Sequence, residues 1–186
     1  MITSFLGYVV RPLQVLLVMV FVASLQQTVS ASPFGQGVFG ADVPFGSATS
    51  ISIALGGNVS LNLTPSGPNF VGSGAHILTV TSTDVVGYKL YVYNPGSGTM
   101  TNGSETIPAS GNTVPGSLAL NTWGYNTDGS ANYLGMLTTP SVIKDTTGPS
   151  KSGDNTTVTY GVLTDGLKGA GSYTVGVVYT AVAENQ

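Results

Sequence analysis

The sequence predicts an all-β protein, an antiparallel β-sandwich of about eight strands behind an N-terminal signal helix. Three observations lead there. Apolar and polar residues alternate with period two through most of residues 51–183, the pattern of strands buried on one face. Nothing beyond the leader shows a sustained 3.6-residue period. Clusters of Gly, Pro, Asn, Asp and Ser interrupt the alternation at short spacing, as the turns of a sandwich do. The composition agrees, being 41% hydrophobic and only 7% charged. Disordered chains tend the other way, towards few apolar residues and high net charge. The solvent faces of the strands are therefore expected to be threonine and serine.

The leader comes first. "MITSFLGYVVRP" (1–12) carries Arg11, "LQVLLVMVFVASL" (13–25) is almost wholly apolar, and "QQTVSA" (26–31) ends in Val29-x-Ala31. A cationic start, a short apolar run and small residues make a secretory signal peptide, with cleavage after Ala31. Its 13 apolar residues fall short of the roughly 20 that span a bilayer as a helix. The alternative is an uncleaved leader that anchors the chain on the outer face of the membrane. Residues 32–50, "SPFGQGVFGADVPFGSATS", read as a Gly/Pro-rich linker or arm whose Phe34, Phe39 and Phe45 are expected to dock on the domain.

Residues 51–186 are expected to form a single β-sandwich domain. "ISIAL" puts Ile51, Ile53 and Leu55 on one face, and "NVSLNLT" does so with Val59, Leu61 and Leu63; Gly56-Gly57 between them predicts a hairpin. "HILTVTS" sets Leu78 and Val80 against Thr79 and Thr81. "VVGYKLYVY" sets Tyr88, Leu90 and Val92 against Lys89, Tyr91 and Tyr93. "SLALNTWGY" and a short "NYLGML" follow, then "TTVTYGVLT" with Val158, Tyr160 and Val162 aligned. "SYTVGVVYTAVA" aligns Tyr173, Val175, Val177 and Tyr179. Turns are expected at 94–98, 102–104, 108–112, 127–130, 146–155 and 164–172. Four residues follow Val182, so no C-terminal anchor or second domain is expected.

After cleavage the chain keeps Lys89, Lys144, Lys151 and Lys168 against all eight carboxylates, a formal charge of −4. So few cations suit neither nucleic acid, where phosphate contacts need clustered Lys and Arg, nor anionic lipid; membrane contact is expected only through an uncleaved leader. The chain has no cysteine, so an exported form relies on its core instead of disulfides, a habit of bacterial surface proteins more than of small eukaryotic secreted modules.

Five segments in order, "TSTDVVGYKLYVY", "TNGSETIPA", "NTWGY", "VIKDTTGPSKSGDNTTVTYGV" and "GSYTVGVVYTA", resemble exported surface proteins of Saccharibacteria and related small epibiotic bacteria. More distantly the order resembles the WxL cell-wall-binding domains of Gram-positive bacteria, with a Gly-Tyr/Gly-Trp strand in the middle and a "GSYTV..VYTA" strand at the end. The resemblance covers about residues 50–183 and implies an Ig-like, WxL-like sandwich attached to a cell envelope. The WxL signature itself is missing, since "TWGY" has tyrosine where leucine should stand and no second tryptophan exists.

Catalytic chemistry finds little support. His76 is the sole histidine and there is no cysteine, so a Ser-His-Asp arrangement must pass through His76, and zinc, which needs three or four converging ligands, has too few. His76 is expected to be an exposed or capping residue at the start of its strand. The eight carboxylates (Asp42, Asp84, Glu105, Asp128, Asp145, Asp154, Asp165, Glu184) stand mostly beside turn residues, where aspartate hydrogen-bonds local backbone. Two of them could serve glycoside hydrolysis, but the reading is non-enzymatic, without a cofactor. The candidate metal is calcium, with Asn126, Asp128 and Asn132 of "NTDGSAN" as oxygen ligands and Asp154 and Asp165 as a second set; the competing reading of the first is an ordinary Thr-Asp-Gly turn. Asn58, Asn62, Asn102 and Asn155 head Asn-x-Ser/Thr triplets, read as coincidence in so Asn- and Thr-rich a chain.

Trp123, the only tryptophan, has two readings. Alternation puts Ala119, Asn121, Trp123 and Tyr125 on one side and Leu118, Leu120 and Thr122 on the other. Trp123 is either a plug between sheets, the favoured reading, or an aromatic platform for sugar rings with Tyr125 and Tyr133. The function expected is a secreted or cell-surface, non-catalytic binding or adhesion module of a bacterial cell envelope, its partner a cell-wall glycan or another surface protein. The alternative is a structural subunit of a surface layer or filament, assembled through its N-terminal arm.

Overall fold

The computed structural model describes residues 49–184; the signal helix, the cleavage position at Ala31 and the linker up to residue 48 lie outside the described residues. The described chain is all-β and its sheets are antiparallel. Its ten strands are β1 (Ser50–Leu55), β2 (Thr64–Ser66), β3 (Asn69–Thr83), β4 (Gly87–Tyr93), β5 (Met100–Asn102), β6 (Glu105–Ile107), β7 (Thr122–Asn126), β8 (Ser141–Thr146), β9 (Asp154–Asp165) and β10 (Val178–Glu184).

One sheet runs β1-β3-β9-β7, with β2 also on β3; a second runs β10-β4-β8; β5 and β6 form a hairpin. The alternation read from the sequence decides which side chains meet between the sheets. Leu78 and Val80 of β3, Val158, Tyr160 and Val162 of β9, and Trp123 and Tyr125 of β7 face Tyr88, Leu90 and Val92 of β4, with Met100, Ile107 and Met136 closing the core. Each such side chain contributes on the order of 1.5–3 kcal/mol by leaving water. Asp154 ties the sheets together: it accepts from the Tyr88 hydroxyl at 2.7 Å and from Lys144 Nζ at 2.5 Å. Burial works against its charge, but those two donors hold its carboxyl below the usual carboxylate range.

Three expectations are corrected. The Gly56-Gly57 hairpin is absent: β1 pairs with β3, from Ser50↔Thr83 to Leu55↔Leu78, and the Gly56 N–H extends that ladder by donating to the Ile77 carbonyl at 2.9 Å. The strand expected over "SLALNTWGY" begins only at Thr122, because Asn121 adopts a φ of 61°, which an extended strand cannot accommodate. "NYLGML" is not a ladder strand but touches its neighbours through single bridges, Gly116↔Tyr133 and Tyr125↔Leu134. β3 is also longer than the alternation suggested, since its glycine-rich first half, "NFVGSGA", pairs fully with β9.

Both ends of the described residues lie at the corner where β3 gives way to β4. Thr49 Oγ1 donates to the Asp84 carbonyl at 3.2 Å, and the Val86 N–H donates to the Glu184 carbonyl at 3.0 Å.

Candidate functional site

A cleft of about 890 Å³ opens between two extended segments, residues 57–63 and 171–177. The first wall follows from two pairs of glycines. After Gly56, Gly57 takes a φ of 97°, which residues with a Cβ rarely adopt, and the chain leaves the edge of β3 to cross its inner face. There Gly74 and Gly72 make room: a Cβ at Gly74 would sit 2.9 Å from the Ser60 carbonyl oxygen, and one at Gly72 3.0 Å from that of Asn62. Along the wall Val59 and Leu61 pack on the core while Asn58, Ser60 and Asn62 are exposed.

The second wall leads into β10. Tyr173, Val175, Val177 and Tyr179 pack on the core, and Ser172, Thr174 and Gly176 are exposed. Thr174 exchanges both backbone bonds with Thr101 at 3.0 Å, and Asn94 Nδ2 donates to the Gly176 carbonyl. Because backbone groups alternate direction along an extended chain, those of Val175 and Val177 point the other way, into the cleft. Among the described residues, no backbone group of 58–63, Val175 or Val177 has a hydrogen-bond partner.

The floor holds His76, Tyr160, Met100, Ile107 and, beneath them, Trp123. His76 is not at a strand start, since β3 begins at Asn69; it is a mid-strand, half-buried residue of the inner face. Its Nδ1 lies 2.9 Å from the Gly57 carbonyl and its Nε2 2.8 Å from the Tyr179 hydroxyl. A carbonyl only accepts, so the neutral ring carries its proton on Nδ1 and Nε2 accepts from Tyr179. Tyr179 in turn hydrogen-bonds the Tyr160 hydroxyl. Burial pushes the Tyr160 phenol up to about 12, and burial plus the Tyr160 neighbour pushes Tyr179 up as well. Both phenols stay protonated at neutral pH, so this chain fixes Gly57, and with it the first wall, to the sheet. Neither histidine bond leads to a serine hydroxyl.

Trp123 is fully buried. Its Nε1–H donates to the Gly98 carbonyl at 2.9 Å, and its ring lies 6.2 Å from that of Tyr160. Tyr125 shares this inner face and is 2% exposed, too little to offer a ring to a sugar. Tyr133 is on the opposite, outer face, over Gly161, where a Cβ would come within 2.4 Å of its ring. The sheet separates Tyr133 from the other two, so the shared platform of Trp123, Tyr125 and Tyr133 is corrected.

The calcium candidates are placed as follows. Asn126 Oδ1 accepts from the Gly129 N–H at 3.1 Å and Asp128 Oδ1 from the Ser130 N–H at 3.0 Å, while the Asn132 N–H donates to Ser130 Oγ at 3.1 Å. The bonds from Ser130 hold the Asp128 carboxyl below its usual range. The turn uses the Asn126 and Asp128 oxygens itself. Asp154 and Asp165 stand at opposite ends of β9, about 35 Å apart at the strand rise, and are not brought together. Asp154 pairs with Lys144 and Asp165 accepts from Asn121 Nδ2 at 2.8 Å. Among the described residues, no three His, Cys, Asp or Glu side chains converge.

Sequence reasoning missed the cleft. Both walls alternate as expected, but neither is the ladder strand expected of it, since 57–63 belongs to no strand and "SYTVGVVYTAVA" enters β10 only at Val178; alternation carries no sign of which edge lacks a neighbour.

No protein-family model matches the chain, and no curated protein matches it. Among solved structures it is similar to a chain of the structure described as "Chaperone-tip adhesin complex is vital for synergistic activation of CFA/I fimbriae biogenesis", with 15% sequence identity and a TM-score of 0.49. The match covers 73% of this chain and 42% of that one, so the chain spans less than half of that neighbour's length.

Proposed function

We infer that this protein is an exported, non-catalytic binding module of a bacterial cell surface, and that the cleft is where it binds. The observation that carries the reading is the cleft itself: two walls with free backbone groups, an apolar lining and a neutral polar rim of Asn58, Ser60, Asn62 and Thr174. Such a site recognises an extended ligand by main-chain hydrogen bonds and alternate side-chain pockets. The leader pattern supports export, and the resemblance to envelope-attached proteins supports the surface. The low positive charge argues against nucleic acid as the ligand.

The test is binding of the fluorescently labelled protein to bacterial envelopes. Val175→Asp puts a charge on the cleft wall and is expected to weaken binding about tenfold or more, while Thr157→Asp, on the exposed face of β9, leaves it unchanged. Equal binding by both variants would overturn the assignment of the cleft. A second reading, a subunit of a surface layer or filament, is favoured by the same free edges.

A further inference from the structure

We propose that the cleft accepts residues 39–45 of a second copy of this chain as an inserted β-strand. The inference rests on the cleft being a binding site and names its occupant.

Three observations converge on that occupant. The cleft lacks a strand: 58–63 on one side and Val175 and Val177 on the other present free backbone groups across a floor of Met100, Ile107, Tyr160 and His76. A strand that fills it must hydrogen-bond both ways, put alternate apolar side chains down and keep the others small or polar. "FGADVPF" does this. Phe39, Ala41, Val43 and Phe45 fall on one face, and Gly40, Asp42 and Pro44 on the other. Pro44 lacks an N–H and stands next to the end of the run, where one missing rung matters least. The lengths agree as well, since seven residues inserted as a strand would cover about 20 Å at 3.3 Å per residue, the same as the wall 57–63.

The second copy follows from where the chain joins the sandwich. Thr49 lies beside Asp84 and Ser50 pairs with Thr83, at the end of β1 remote from Leu55, where the cleft begins. A chain folding back on itself must first cover the length of β1, about 17–20 Å at the strand rise. That length takes about six residues before any turn, more than the three, 46–48, that join the run 39–45 to Thr49. A neighbour's arm has no such limit. Each copy then has one donor and one acceptor, a head-to-tail contact that builds a chain of subunits.

The test uses the whole chain, exported with its own leader and examined by size-exclusion chromatography with light scattering over a range of concentrations. The wild type is expected to form concentration-dependent oligomers, and Val43→Asp (arm) and Val175→Asp (cleft) to be monomers. An equimolar mixture of the two variants is expected to give a dimer, because one supplies an intact cleft and the other an intact arm. A peptide of residues 37–47 is expected to bind Val43→Asp and raise its melting temperature. Should Val175→Asp not fold, judged by Trp123 fluorescence, Val43→Asp with the peptide decides alone.

A monomeric wild type that neither binds the peptide nor pairs in the mixture overturns the proposal, as does a monomer destabilised by Val43→Asp, which signals insertion of its own arm. If envelope binding still depends on Val175 in such a chain, the cleft remains the binding site and only the occupant is wrong. If it does not, both readings fall.

Discussion

The two edges of the sandwich core differ in one respect. At β7 the outer edge is covered: the Trp123 N–H donates to the Pro108 carbonyl at 3.2 Å, its carbonyl accepts from Ser110 at 2.7 Å, and Tyr125 exchanges bonds of 3.0 and 2.7 Å with Leu134. The loops that supply these partners seal the core over Trp123. Beside β10 the same alternation of apolar and polar residues runs through 58–63 and 172–177, yet the backbone groups between those segments find no partner among the described residues. Side-chain pattern is alike on the two sides, and the difference lies in the main chain. A buried backbone group left unpaired costs free energy comparable to a lost hydrogen bond, so an edge stays open only where water or a partner can reach it.

The comparison can be broken most directly at Trp123. Trp123→Ala removes a fully enclosed ring on the sealed side and is expected to cost roughly 3–5 kcal/mol, read as a lower midpoint in urea, with wild-type fluorescence blue-shifted and resistant to iodide. A mutant of near wild-type stability would mean that this side is not sealed.

Next in size is an alkaline effect at Tyr160, which lies between the two sides. Its folded pKa is raised from 10.0 to about 12, so its contribution is complete below pH 10 and is lost as pH rises towards 12. Two units correspond to about 2–3 kcal/mol. Stability measured between pH 9 and 12 should fall over that window, and Tyr160→Phe should flatten the fall. An unchanged slope in Tyr160→Phe would assign the titration to another tyrosine.

Smallest is Tyr179→Phe on the open side. It deletes the hydroxyl that His76 and Tyr160 share, an exchange of about 1 kcal/mol, and frees Gly57 from its anchored ring. The expected signature is modest destabilisation with lower backbone NMR order parameters confined to residues 57–63. Order parameters lowered uniformly across both sheets would show that the network holds the whole fold.

Much of this architecture was legible in the sequence. Period two assigned the inward residues of β3, β4 and β9 correctly, because a strand's side chains change face at every step whatever their neighbours. Strand pairing was less legible, since ladder bonds are made by a backbone common to all residues; hence the hairpin expected at Gly56-Gly57 and the missed first half of β3, ahead of the "HILTVTS" expected as that strand. Of the candidate site residues, Trp123 and Tyr125 are placed by alternation, but Tyr133 reaches the outer face through a loop and the space at Gly161, which no local pattern encodes. His76 was misplaced because the start of its strand was.

The corner that gathers both ends of the described chain has a mechanical consequence. Tension drawn between Thr49 and Glu184 meets β1 at its rung with Thr83 and β10 at its rung with Gly87, so the ladders are opened like a zip, one rung at a time. A strand gripped along its whole length is loaded in shear, and its rungs must yield together. Single-molecule pulling through residues 49 and 184 should therefore give a lower rupture force than pulling through residues 69 and 154, which lie at opposite ends of the β3–β9 ladder and load it in shear. Loaded at this corner the sandwich is a weak link, and loaded along its longest ladder it is a strong one.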